Sequence, residues 1–182
     1  SQVEADRFRF DFSHNAAISR DALDKIEAEV NAVIRQNEEA QTKLMKPQEA
    51  IEAGAMALFG EKYGDEVRVL TLGHALEEGG FSDKPYSVEL CGGTHVRRTG
   101  DIALFTILSE SAVAAGVRRI EGTTGATALE HLKAQAALGR QAAEELKTTL
   151  QDLPKRAAAL SEERRKLDRE LADTKKKLAL AG

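Results

Sequence analysis

The thirty-five residues from Val88 to Gly122, VELCGGTHVRRTGDIALFTILSESAVAAGVRRIEG, decide how this chain is read. Residues 86 to 90 have the length and composition of a short strand that delivers the chain to Cys91, and Gly92 and Gly93 then permit a turn. Residues 102 to 109 are almost continuously apolar and of strand length, the pattern of a strand buried on both faces. Gly116 and Gly122 bracket Val117 to Glu121, a further strand between turn formers. Three strand candidates this close together point to a sheet assembled from neighbouring segments.

Upstream, Arg7 to Phe12 alternates charged and aromatic residues, which predicts a strand with one face buried on Phe8, Phe10 and Phe12. Ser19 is a helix N-cap, and Leu23, Ile26, Val30, Val33 and Ile34 follow at spacings of three and four, so a helix runs to about Gln36. Residues 39 to 46 are expected to pair as an edge strand. Pro47 opens a second helix carrying Ile51, Ala55, Met56 and Phe59, ended by Gly60 and Gly64. Val67, Val69 and Leu70 resume as a strand, and His74 to Tyr86, with Gly79, Gly80, Ser82, Asp83 and Pro85, is expected to be a surface loop.

Downstream of Gly125 the pattern changes to a single helical period. With Leu129 as the first position of a heptad, nine of the fifteen core sites up to Leu178 are Leu and three are Ala. Pro154 interrupts that seam, so the segment is one kinked rod or two helices folded back near Asp152, and Arg164 occupies a core site. The fold class expected is therefore α+β, a β-sheet with two packed helices over residues 1–125, followed by a helical hairpin or coiled coil over residues 126–182.

The whole chain has 182 residues, 42% of them apolar, enough for a real core. Lys and Arg number 26 against 30 Asp and Glu, so the net charge of -4 excludes a generally basic nucleic-acid adhesive and leaves only local affinity. One cysteine cannot make an intramolecular disulfide framework, and there is no long apolar run or signal-peptide pattern. A soluble cytoplasmic protein with no membrane or DNA partner is expected.

The chemical signal is Cys91, Gly92, Gly93, Thr94, His95. A thiolate and an imidazole four residues apart suit zinc, but they are two donors where a structural site needs four. The same pair can be read as a cysteine nucleophile with His95 as its base, or as a buried thiol beside a hydrogen-bonded histidine in a glycine turn. Gly92 and Gly93 can also present backbone donors to an anion. Neither His14, His74 nor His131 has a matching spacing.

These residues, with Arg98 to Ile102 and Ala115 to Glu121, resemble the editing domain of alanyl-tRNA synthetases. Arg9 to His14 and the stretch Gly54 to Gly64 resemble the same domain in the same order, and the leucine-rich remainder resembles the coiled coil that follows it. The resemblance implies that zinc sits on an upstream His-x-x-x-His pair and a downstream Cys-x-x-x-His pair, the second being Cys91 and His95. It also implies hydrolysis of the ester that links serine or glycine to the terminal adenosine of alanine tRNA. Thr94 would then meet the substrate hydroxyl. Arg97 and Arg98 beside the loop would meet the tRNA, and of Arg118 and Arg119 on the last strand one would meet a phosphate while the other pairs with an acid; the Lys175 to Lys177 run is a solvated helix end or a minor RNA contact. No His-x-x-x-His occurs in these 182 residues. The chain is therefore expected to be an excised part of the synthetase, inactive or weak by itself, with ATP and Mg2+ used only in the separate aminoacylation domain. Alternatives are part of a free-standing alanyl-tRNA editing protein, a coiled-coil module that forms a homodimer or binds tRNA, and a cysteine-dependent hydrolase.

Overall fold

The computed structural model describes residues 1–56 and 64–181. The chain divides into two compact units, Ser1–Leu129 and Glu130–Gly182. The first unit holds two antiparallel sheets rather than one. A four-stranded sheet is built from β1 (Gln2–Val3), β2 (Phe8–Ser13), β7 (Val117–Thr124) and β6 (Phe105–Ala114), in that spatial order. A three-stranded sheet contains β3 (Gln41–Met45), β4 (Val67–Glu77) and β5 (Gly80–Leu90).

Helix α1 (Arg20–Arg35) starts where the N-cap places it, with Ser19 Oγ accepting from the Ala22 amide. Its side chains reach strands of both sheets. Asn31 bonds both backbone groups of Phe105, donating to the carbonyl at 2.7 Å and accepting from the amide at 2.9 Å. Glu27 Oε2 accepts from the Ile107 amide at 2.7 Å. The exposed edge of β6 is thus capped by helix side chains that act as a partial strand. On the other side the Gln36 carboxamide, just past the helix end, exchanges two bonds with the His74 backbone in β4.

Two small cores result. Leu23, Ile34, Phe105 and Ile107 are buried between α1 and the four-stranded sheet, with Phe8 stacked 5.9 Å from Phe105. Ala50, Ala55, Val67, Val69 and Leu90 form the second core on the three-stranded sheet.

The edge strand at Gln41–Met45, the strand at Val117–Thr124 and the helix behind Ser19 match the sequence reading, but several elements differ from it. The aromatic face of β2 is not uniformly buried, because Phe10 is 40% exposed and only Phe8 joins the core cluster. Helix α2 (Pro47–Glu52) stops before Ala55, and Gly54 takes a φ of +85°. Met56 then pairs with β5, donating to Val88 and accepting from Leu90. Phe59, expected in that helix, and Gly60, expected to help end it, lie outside the described residues.

The segment from His74 to Tyr86 is not a loop but the outer part of the β4–β5 hairpin. Glu77 faces Gly80, so Glu78 and Gly79 alone make the turn, while Pro85 is tolerated because β5 is an edge. The apolar run at 102–109 begins with a 3-10 turn, Thr99–Ile102, and its strand is buried only at Phe105, Thr106 and Ile107. Leu108 is already exposed, since β6 is an edge with a bulge there.

The second unit contains most of α3 (Gly125–Glu145) and all of α4 (Leu153–Ala181). The chain breaks before Pro154, not at it. Lys147 adopts φ +48° and the Thr148 and Lys147 amides bond back to Ala143 and Glu144, which closes α3 in a left-handed cap. Thr149 and Asp152 exchange two hydrogen bonds in the turn before α4, which carries Pro154 in its first turn. The segment is two helices rather than a kinked rod. Leu167, Leu171 and Leu178 lie more than half exposed, so the single chain does not close the seam. Among the described residues no helix is long and apolar enough to cross a membrane.

Candidate functional site

Strand β5 ends at Leu90, but the backbone of the next residue is still held by β4. The Cys91 amide donates to the Arg68 carbonyl at 3.0 Å, and Arg68 Nε donates to the Cys91 carbonyl at 3.0 Å. This reciprocal pair fixes Cys91 on the middle strand of the sheet. The far end of the loop is held by the C-terminus of α1. Thr99, 2% exposed, accepts from the Glu38 amide through its hydroxyl, and its own amide donates to the Glu38 carbonyl at 2.8 Å. Arg98 Nε donates to the Asn37 carbonyl at 2.9 Å, and Ala40 donates to the Arg97 carbonyl at 2.9 Å. Gly100 is needed there, because a Cβ would come within 2.4 Å of Asn37 Oδ1.

Between these anchors Gly93, Thr94, His95, Val96 and Arg97 form one wall of a cleft of about 410 Å3. Arg68 and Leu70 from β4, Thr42 from β3, and Glu39 with Ala40 complete it. Cys91 is half-buried, and its sulfur lies 3.7 Å from the place a Cβ would take on Gly93; His95 is exposed. Neither Gly92 nor Gly93 has a left-handed φ, and neither would meet a close contact as alanine. The expected turn therefore does not itself require these glycines.

Among the described residues no three His, Cys, Asp or Glu side chains gather in a metal-binding group. Cys91 and His95 fit half of a zinc site by donor type, and the chain brings neither His14 nor His74 to them. His14 lies at the end of β2 beside Phe12, and His74 lines a different cavity with Glu38, Glu39 and Asp83. Glu89, the acid closest in sequence before Cys91, accepts from Ser87 Oγ at 2.6 Å and lines the apolar cavity bounded by Val30, Leu72 and Phe105. No orienting carboxylate for a Cys91 and His95 catalytic pair is formed by it.

Arg118 and Arg119 are both committed to carboxylates. Arg118 forms a two-bond fork on Glu110, the second at 2.6 Å, with Glu110 only 7% exposed. Arg119 forks onto Asp11 at 2.6 and 2.8 Å. These guanidiniums hold both carboxyls below their ordinary pKa, chiefly through the hydrogen bonds, and the carboxylates in turn raise the arginines. Of the arginines singled out from sequence, Arg97 alone lines the cleft. Lys175 to Lys177 lie exposed on α4.

Arg68 escaped the sequence reading. Its signal was a charged residue between Val67 and Val69 at an otherwise apolar strand start, and its meaning depends on the register that sets Cys91 beside it.

Residues 67–121 match the family described as the threonyl and alanyl tRNA synthetase second additional domain. That match runs from the start of β4 through most of β7 and includes the whole Cys91 to His95 loop. Over its full length the chain is similar to alanine–tRNA ligases. It is 62% identical to that of Hyphomonas neptunium over 182 residues, 59% to that of Caulobacter vibrioides over 180, and 54% to that of Bradyrhizobium diazoefficiens over 182. These alignments take in 99 to 100% of the chain and 20% of each relative, so the chain spans about a fifth of their length. The resemblance first noted around Cys91 thus extends across both units.

Proposed function

We propose that this chain is a segment of an alanine–tRNA ligase, with residues 1–125 in its editing domain and residues 126–182 in the helical segment that follows. The whole enzyme would attach alanine to tRNA(Ala) in the cytoplasm, using ATP and Mg2+ at an aminoacylation site outside these residues. The editing domain would hydrolyse Ser-tRNA(Ala) and Gly-tRNA(Ala). The observation that carries this reading is the loop from Cys91 to Arg98, anchored at both ends and opening onto a cleft, inside the matched residues 67–121.

Cys91 and His95 would hold zinc together with an upstream His-x-x-x-His pair, and bound zinc would supply a Lewis-acid centre at the scissile ester. The chain's own residues prepare that place. Arg68 fixes the Cys91 backbone, and the Thr99 anchor fixes the loop's exit. The Thr94 hydroxyl is available to a serine side chain, and Arg97 adds positive charge along the wall. Gly92 and Gly93, which the fold does not demand, let a substrate approach the backbone closely.

Zinc content tests the reading. Metal-saturated, desalted protein is expected to retain little zinc as the 182-residue chain, and close to one equivalent when the upstream segment is present, lost again with Cys91→Ala. Full retention by the short chain, insensitive to Cys91→Ala, would reject the split site. Deacylation of Ser-tRNA(Ala) by the short chain is expected to stay within about tenfold of its Cys91→Ala control, the scale on which one positioned catalytic group already acts.

A second role belongs to the helices. The exposed Leu167, Leu171 and Leu178 on α4 favour pairing with a second copy of the chain, a homodimer through the helical segment.

A further inference from the structure

Two buried side-chain nitrogens in the described structure have no hydrogen-bond partner, Arg68 Nη2 and His74 Nδ1. Arg68 is the more unusual, because a guanidinium is always charged and buried charged donors are normally satisfied. The side chain is not loose. Its Nε is used on the Cys91 carbonyl, and the residue lines the cleft.

The cleft around it has the composition of an anion site. Thr42 and Thr94 contribute hydroxyls, Arg97 a second guanidinium, and Glu39 the one carboxylate. Two arginines against one glutamate leave an excess of positive charge in a partly enclosed space, where such interactions strengthen. We infer that Arg68 is the anion-binding residue of this cleft and that its ligand is the phosphodiester next to the terminal nucleoside of an RNA whose esterified 3′ end lies at Cys91 and His95.

The choice of ligand rests on the editing function proposed above and on simple chemistry. In an aminoacyl ester the amino acid's carboxylate is consumed by the bond, so the only anionic oxygens near the reacting end are those of the backbone phosphodiesters. Arg68 is bonded to Cys91 itself, which sets anion site and ester site within one nucleotide's reach. A guanidinium held at Nε by the protein, with Nη2 left unpartnered, keeps donors suited to phosphate oxygens.

The test uses the 182-residue chain and an acceptor-stem hairpin of tRNA(Ala), made with a normal last phosphodiester or with an uncharged methylphosphonate there. Unaltered protein is expected to bind the methylphosphonate hairpin about tenfold more weakly, the scale of one charge-assisted hydrogen bond. Arg68→Gln is expected to weaken binding of the normal hairpin by a similar factor. It should also lower the slope of log affinity against log salt by about one, and lose nothing further with the methylphosphonate. Arg68→Lys, which keeps the charge, should keep the slope. Equal binding of the two hairpins by the unaltered protein, or an Arg68→Gln loss that is the same for both, would overturn the assignment and leave Arg68 a loop-positioning residue. If the unaltered protein binds the hairpin no better than one lacking its single-stranded 3′ end, the editing reading fails first, and the assignment with it.

Discussion

Gly73 shows how much one residue without a side chain can decide. It is buried in β4 at φ +58°, and a Cβ there would lie 2.5 Å from Val33 Cγ1 and 3.2 Å from Gln36 Oε1. The bend it allows brings the His74 backbone to the Gln36 carboxamide. Gly73→Ala is expected to cost about 2–4 kcal/mol, from left-handed strain and overpacking together. A shifted denaturant midpoint at unchanged slope would measure this, and a loss below about 0.5 kcal/mol would contradict it. At this scale the sequence was uneven. Cys91 and His95 were legible because their chemistry is unusual wherever they sit, whereas Arg68 acquires its role from a cross-strand neighbour 23 positions away. Arg118 and Arg119 were half legible, one acid pairing expected and two found, because their partners Glu110 and Asp11 come from two different strands and adjacency in sequence does not reveal them.

Elements were legible where a period was clean. Ser19 and the spacing after it gave α1 nearly to the residue, and β7 emerged from its flanking glycines. The β4–β5 hairpin was hidden because Gly79, Gly80 and Pro85 are turn formers by composition, yet a two-residue turn and an edge position absorb all three. The four-stranded sheet carries its own pH dependence. Asp11 and Glu110 are held below their ordinary values of 3.8 and 4.5 by Arg119 and Arg118. Their stabilisation is fully present above those ordinary values and is lost as pH falls through the lower folded ones. Thermal stability is therefore expected to fall steadily below about pH 5, and Glu110→Gln should flatten that decline. An unchanged acid profile in Glu110→Gln would show that other carboxyls govern it.

For the molecule as a whole, the heptad pattern read from the sequence meets a chain in which Leu167, Leu171 and Leu178 are exposed and, of the two forms it allowed, two separate helices are found rather than a kinked rod. A period specifies which residues want burial but not which surface supplies it. If a second copy does, sedimentation at micromolar concentration should give about twice the 19.7 kDa of one chain, and Leu167→Lys with Leu171→Lys should restore the single mass. A monomer at every concentration would remove the homodimer. Within the first unit, α1 works as a tie rod between two sheets: it grips β6 through the Asn31 carboxamide and the Glu27 carboxylate, and β4 through the Gln36 carboxamide. The two amide grips neither take up protons nor attract counter-ions. Salt can loosen the guanidinium clasps of the four-stranded sheet while these amide grips hold the two sheets together, so the loop hung from the end of α1 is expected to keep its place in ionic conditions that would strip the RNA proposed for the cleft.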